Sequence, residues 1–108
     1  MSDQSDNAQL REQLRHKINR ETAVYAWAEL LKHFAGGHVI AVAAGLDLVE
    51  VALHMANDDS VQIQQWLANG EIAKVSDLQA QAWLDADASL WTVVVKPWVL
   101  VQHKMGLH

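Results

Sequence analysis

Cysteine is absent from all 108 residues of the chain. Its absence excludes disulfide bonds, thiol nucleophiles and thiolate metal sites, and it suits a reducing compartment, so we expect a cytoplasmic protein. The first ten residues, MSDQSDNAQL, have no apolar stretch behind positive charges and predict no secretory signal. The longest apolar run is interrupted at Lys96-Pro97 and falls short of the roughly 20 residues of a membrane-crossing helix.

The motifs of common enzyme mechanisms are also absent. No serine lies in a GxSxG turn, and Gly36-Gly37 lacks the further glycines and the lysine of a phosphate-binding loop. No stretch of the sequence therefore specifies a reaction.

Charge is distributed unevenly along the chain, whose formal net charge is -5. Most of the basic residues lie in the first third: Arg11, Arg15, Lys17, Arg20 and Lys32. Residues 47–87 carry eight acidic side chains against the single cation Lys74. An acidic body disfavours nonspecific binding of polyanions such as nucleic acids.

Apolar spacing predicts about four helices within one globular domain, residues 10–103, between a polar tail at 1–9 and a short tail at 104–108. The first helix carries Leu10, Leu14 and Ile18, and the second runs from Trp27 to the helix-ending Gly36-Gly37. Candidate caps at 57–60 precede the third, and Ser76 or Asp77 precedes the fourth. Whether the first two are one bent helix or separate pieces around Asn19–Thr22 stays open.

The remaining segments predict a small, mostly antiparallel sheet and hence an α+β fold. We expect a hairpin near residues 38–56, because Val49, Val51, Leu53 and Met55 form an alternating apolar face. Helix is the alternative for 47–56, since Leu46, Val49, Leu53 and Ala56 also have helical spacing. Residues 90–102, LWTVVVKPWVLVQ, predict a long buried strand, which Pro97 places at an edge, bulges or divides into two.

One group of side chains is a candidate metal site. If the 38–56 hairpin pairs Val42 with Glu50, His38 falls opposite His54, and Glu50 shares a face with His54. Two imidazoles and a carboxylate are a ligand set for zinc or iron. The alternative is that these are ordinary polar residues on the exposed face of a sheet.

Two acidic pairs, Asp58-Asp59 and Asp85 with Asp87, lack the spacing of a calcium loop and are explained as helix caps and helix-end charge. The last two helices could resemble a winged helix-turn-helix. The would-be recognition helix, residues 77–87, has three aspartates and no lysine or arginine, which argues against nucleic-acid binding.

Five tryptophans are spread one to an element, a distribution typical of a shared core. Tryptophans left at the surface would indicate a protein interface. We take Trp91, Pro97 and Trp98 as candidate interface residues.

The segments LDLVEVA (46–52), WLANG (66–70), KVSD (74–77) and, above all, LWTVVVKPWVLVQ resemble a small bacterial family known only as domain of unknown function 2288. The resemblance runs from about Leu10 to Gln102. It implies a compact bacterial protein of unassigned role and supplies no catalytic residues.

These observations lead to three hypotheses for function. The first is a non-enzymatic protein-interaction or regulatory module that self-associates and also binds an unidentified protein partner. The second is a metal-binding protein or small metal-dependent enzyme using His38, Glu50 and His54. The third is a nucleic-acid-binding module. The sequence indicates no cofactor strongly, and it predicts no membrane association.

Overall fold

The computed structural model describes residues 3–103, which form five helices and a five-stranded mixed sheet. The helices are α1 (Asp3–Glu21), α2 (Leu31–Ala35), α3 (Leu48–Ala56), α4 (Ser60–Ala68) and α5 (Asp77–Asp85), and a 3-10 helix (Trp27–Leu30) leads into α2. The strands are β1 (Ala23–Ala26), β2 (Val39–Val42), β3 (Ile72–Lys74), β4 (Ser89–Val95) and β5 (Trp98–His103). The α+β class is therefore confirmed. Within residues 3–103 no helix is both long and apolar enough to cross a membrane.

The strand order is β1-β4-β5-β2-β3, in which β5 and β2 are parallel and every other pair is antiparallel. Alternation along each strand sends side chains to both faces of the sheet. Leu100 enters a core cluster with Val51 and Leu53 of α3, whereas Val99 and Val101 enter a second cluster around Trp27. The sheet is thus a central layer, with α1, α3 and α4 on one face and the 3-10 helix, α2 and α5 on the other.

The hairpin expected at 38–56 is wrong, because only its first half is a strand. Residues 48–56 form α3, and the carboxylate of Asp47 caps this helix by accepting from Val49 N at 2.9 Å and Glu50 N at 3.4 Å. Both edges of β2 are taken by other strands, β5 and β3. The helical alternative for this segment is the one that the chain adopts, since capped helix formation also buries Leu48, Val51 and Ala52.

The apolar segment 90–102 is two strands. Val95 pairs with Trp98, so Lys96 and Pro97 alone reverse the chain, and their peptide bond is cis. Six side chains of the segment are at most 2% exposed: Leu90, Thr92, Val93, Val99, Leu100 and Val101. The prediction that this segment forms the axis of the core is confirmed.

The first helix starts earlier in the chain than predicted. Helix α1 begins at Asp3 and so includes residues 3–9 of the predicted polar tail. It stops at Glu21 and is separate from the second helical region, with β1 between them. The predicted tail at 104–108 lies outside the described residues.

The cap predictions hold for two of the helices. Ser76 Oγ accepts from Gln79 N at 3.1 Å at the start of α5, and Asp59 Oδ1 accepts from Gln62 N at 3.3 Å at the start of α4. Asp58 and Asp87 both have positive φ, at 55° and 52°, in the turns that follow α3 and α5. The acidic pairs therefore lie at helix boundaries, where turn and cap geometry favours aspartate.

Candidate interaction surface

Of the three candidate metal ligands, Glu50 and His54 lie on α3, whereas His38 lies before β2, and all three have other partners. His38 precedes β2, and its ring packs edge-on against Trp98 with centroids 6.2 Å apart. Glu50, on α3, accepts from the guanidinium of Arg15 on α1. Within residues 3–103 no group of three histidine or acidic side chains is placed to hold a metal ion. The strand register on which the metal hypothesis depended does not exist.

Both ring nitrogens of His54 face protein oxygens. Its Nδ1 donates to the carbonyl of Glu50 at 2.8 Å, one helical turn earlier, and its Nε2 lies 3.8 Å from Asp59 Oδ2. The ring also packs edge-on against Trp66, with centroids 5.2 Å apart. These contacts place the His54 side chain between the end of α3 and the start of α4.

The candidate interface residues fall in two places. Pro97 and Trp98 line a groove of about 450 Å³ between the β4–β5 turn and the α3–α4 turn, together with Met55 and Ile63. The Trp98 ring is half-buried, and the ammonium of Lys74 lies 5.6 Å from its centroid. Trp98 is thus already contacted within its own chain.

Trp91 lies at the opposite end of β4, near the edge of the sheet. It stands directly across from Val24 of β1 and lines a smaller groove, about 270 Å³, beside the end of α1 and the start of α3. The Trp91 side chain is 40% exposed. An indole in this position is available to a partner, since β1 is the last strand of the sheet.

Exposed apolar side chains occur on both faces of the sheet at this edge. Val24, 40% exposed, and Trp91 share the face covered elsewhere by α1 and α3. Tyr25, 44% exposed, and Val94, 51% exposed, lie on the opposite face. We call these four side chains, with the outer backbone of β1, the β1 edge.

The two edge strands differ in the features that prevent unwanted strand pairing. The other edge, β3, is three residues long and ends in Lys74. Strand β1 reads AVYA and has neither a charge nor a proline. Natural sheets protect their edges with short strands, lysine and proline, so β1 is the less protected edge.

The residues of β1 were missed by the sequence analysis. The Val24-Tyr25 pair is a strand signal, because β-branched and aromatic residues are enriched in strands. The signal is only two residues long and lies between two helical patterns. Its position at an edge depends on the strand order, which local sequence does not encode.

The fold and this surface define a small three-layer α+β domain with one edge strand, β1, that carries no charged residue. The family model described as "Protein of unknown function (DUF2288)" matches residues 13–103, and the chain belongs to this family. It is also similar to PA1075 from Pseudomonas aeruginosa, which has an NMR solution structure. The identity is 44%, the match covers 89% of this chain and 92% of that chain, and the TM-score is 0.77. The comparison with curated proteins finds no match.

Proposed function

We propose that this protein is a non-enzymatic interaction module that self-associates through the β1 edge. The observation that carries the proposal is the coincidence of an edge strand without charge or proline with exposed apolar side chains on both faces of the same edge. Open strand edges are templates for pairing with another chain, and exposed apolar area adds to the free energy of association. Trp91 is the candidate interface residue that belongs to this surface.

A second copy of the chain is the simplest partner for such an edge. Antiparallel pairing of two identical strands has two-fold symmetry, so each copy presents the same groups to the other. Only four strand residues and four large side chains contribute, which is little beside the roughly 1,600 Å² of a standard stable interface. We therefore expect a weak dimer whose population depends on concentration.

The proposal is tested by sedimentation velocity over a wide range of protein concentration, comparing the wild type with Val24→Lys. The weight-average mass of the wild type should rise from the monomer value of 12.0 kDa toward twice that value. Val24→Lys should stay monomeric, because it places a charge in the centre of β1, where a lysine opposes strand pairing.

A matched control separates the β1 edge from apolar surface in general. Val61, on α4, is 69% exposed and lies away from this edge, so Val61→Lys should associate as the wild type does. Circular dichroism should show that both variants are folded. A wild type that remains at monomer mass at every concentration, or a Val61→Lys variant that loses association as Val24→Lys does, contradicts the proposal.

A further inference from the structure

The phase of the β1–β4 ladder determines which backbone groups of β1 point outward. In antiparallel pairs, residues alternate between those bonded to the neighbouring strand and those whose N–H and C=O point away from it. Trp27 N donates to Ala88 O at 2.8 Å, which continues the ladder beyond β1. Because Tyr25 lies two residues earlier, it is also bonded inward, opposite Leu90. Val24 and Ala26 consequently direct their N–H and C=O groups to the outer edge.

Both outward groups of Ala26 are engaged by the chain itself, because Ala26 is the N-cap residue of the 3-10 helix and its carbonyl accepts the first bond of that helix. The N–H of Ala26 donates to Glu29 Oε1 at 3.3 Å, in an exposed contact. The acceptor comes from the 3-10 helix that follows β1. The Glu29 carboxylate thus occupies the position that the carbonyl of an added strand would take.

We propose that the β1 strands of two copies pair antiparallel about a two-fold axis at Tyr25, and that Glu29 competes with this pairing. The inference rests on the proposed self-association and gives its register. Val24 of each copy lies opposite Ala26 of the second copy, and the two Tyr25 residues face each other. Their backbones exchange four hydrogen bonds, two for each Val24–Ala26 pair, and the Ala26 carbonyl accepts with its second lone pair. The two five-stranded sheets join into one continuous sheet.

The register with its two-fold axis at Tyr25 forms two fully bonded residue pairs, more than the neighbouring register with its axis at Val24. A two-fold axis at Val24 would bring Thr22 into the ladder opposite Ala26. The N–H of Thr22 already donates to Asn19 O at 3.3 Å, at the end of α1, so only the Val24–Val24 pair would bond fully. A register shifted by one residue would set outward groups against inward ones and is excluded by the ladder.

Side-chain size and charge suit the same register. Ala26 is small and lies on the face of Val24 and Trp91, which leaves room for the indole of the second copy. The end of α1 carries two cations, Lys17 and Arg20, and one anion, whereas Glu29 is the sole charge of the 3-10 helix. Antiparallel pairing brings these oppositely charged ends together.

Glu29 should therefore lower the affinity of the dimer. Before Ala26 N–H can bond to the second copy, it must leave the carboxylate of Glu29, and this exchange occurs once in each chain. Glu29→Ala removes the competing acceptor from both chains and should strengthen dimerisation by roughly tenfold, the combined effect of two exposed hydrogen bonds at the weak end of the usual range. The outcome is measured as the dimer dissociation constant.

Single cysteines test the register, because the natural chain has none. Residues that face each other in a non-hydrogen-bonded antiparallel pair have Cα atoms about 4.5 Å apart, within the disulfide range. Under mild oxidation, Tyr25→Cys should form a disulfide-linked dimer that reductant dissolves. The two copies of residue 24 lie further apart than the roughly 7 Å limit, so the control Val24→Cys should cross-link little.

The outcomes distinguish this inference from the proposed function on which it rests. Efficient cross-linking of Tyr25→Cys alone, accelerated by adding Glu29→Ala, supports the register and the competition. Preferential cross-linking of Val24→Cys, or no cross-linking of either variant while the wild type dimerises, overturns the register but leaves self-association intact. A Glu29→Ala dimer no tighter than the wild type overturns the competition. A wild type that stays monomeric at every concentration contradicts the proposed function itself.

Discussion

At the scale of single residues, the side chain of Gln102 on β5 contacts a turn that is distant in sequence. Its Nε2 donates to the carbonyls of Ala43, at 2.8 Å, and Leu46, at 2.6 Å. These carbonyls belong to the turn that leads from β2 into α3. The amide of Gln102 therefore holds the chain where a parallel strand ends and the capped helix begins.

Gln102→Leu should lower the free energy of unfolding by about 1 kcal/mol, because the carbonyl of Leu46 loses its donor, whereas that of Ala43 keeps the bond from Leu46 N at 3.0 Å. Chemical denaturation followed by circular dichroism measures the change. The matched control is Gln65→Leu on the exposed face of α4, for which we expect less than about 0.5 kcal/mol. Equal effects of the two substitutions would show that the Gln102 amide contributes nothing specific.

The polar residues also show how far site prediction from sequence could go. That Asp59 and Ser76 cap helices was predictable, because capping depends on neighbours three residues away. The expected grouping of His38 with Glu50 and His54 required a strand register between residues 38 and 54, and that register does not exist because 48–56 is a helix. Instead, Glu50 pairs with Arg15, and His54 lies near Asp59 at the α3–α4 junction. Trp91 could be singled out as an indole, but its exposed position follows from the strand order alone.

At the scale of elements, α3 shows why a local pattern can fit two structures. The alternating residues Val49, Val51, Leu53 and Met55 suit a strand, and the helical set suits α3 equally well. The deciding features are the Asp47 cap and the absence of a free edge on β2. The first is visible in the sequence, whereas the second depends on the distant strands β3 and β5.

Asp47→Ala should destabilise the protein by about 1 kcal/mol, because α3 loses the carboxylate that accepts from Val49 N and Glu50 N. The comparison variant is Asp47→Asn, which retains a capping oxygen and should stay within a few tenths of a kcal/mol of the wild type. Urea denaturation of the three proteins provides the measurement. A loss of stability in Asp47→Asn as large as that in Asp47→Ala would contradict the capping explanation.

Nonlocal pairing limited the prediction of the sheet. The apolar content of 90–102 predicted burial, and the structure confirms it for both β4 and β5. The parallel pairing of β2 with β5 joins residues some 60 positions apart, such as Ile40 and Leu100, and no local pattern specifies it. Strand β1 is too short and too exposed to give a clear period.

At the scale of the whole molecule, two apolar clusters lie back to back across the sheet and are sealed by helices on both faces. The sheet is covered at its centre, and its two edges differ. One edge ends in Lys74, whereas the other is uncharged and has apolar side chains on both faces. Self-association through the β1 edge would cover this remaining surface and would extend the hydrogen bonding of the sheet.

Amide hydrogen exchange of Val24, measured by NMR at several protein concentrations, tests this account most directly. The Val24 N–H points outward in the monomer and becomes bonded to the second copy in the dimer, so its protection should increase with concentration. The N–H of Tyr25 is already within the β1–β4 ladder, and its protection should change much less. Exchange at Val24 that stays constant over the concentrations at which the mass increases would contradict pairing through β1.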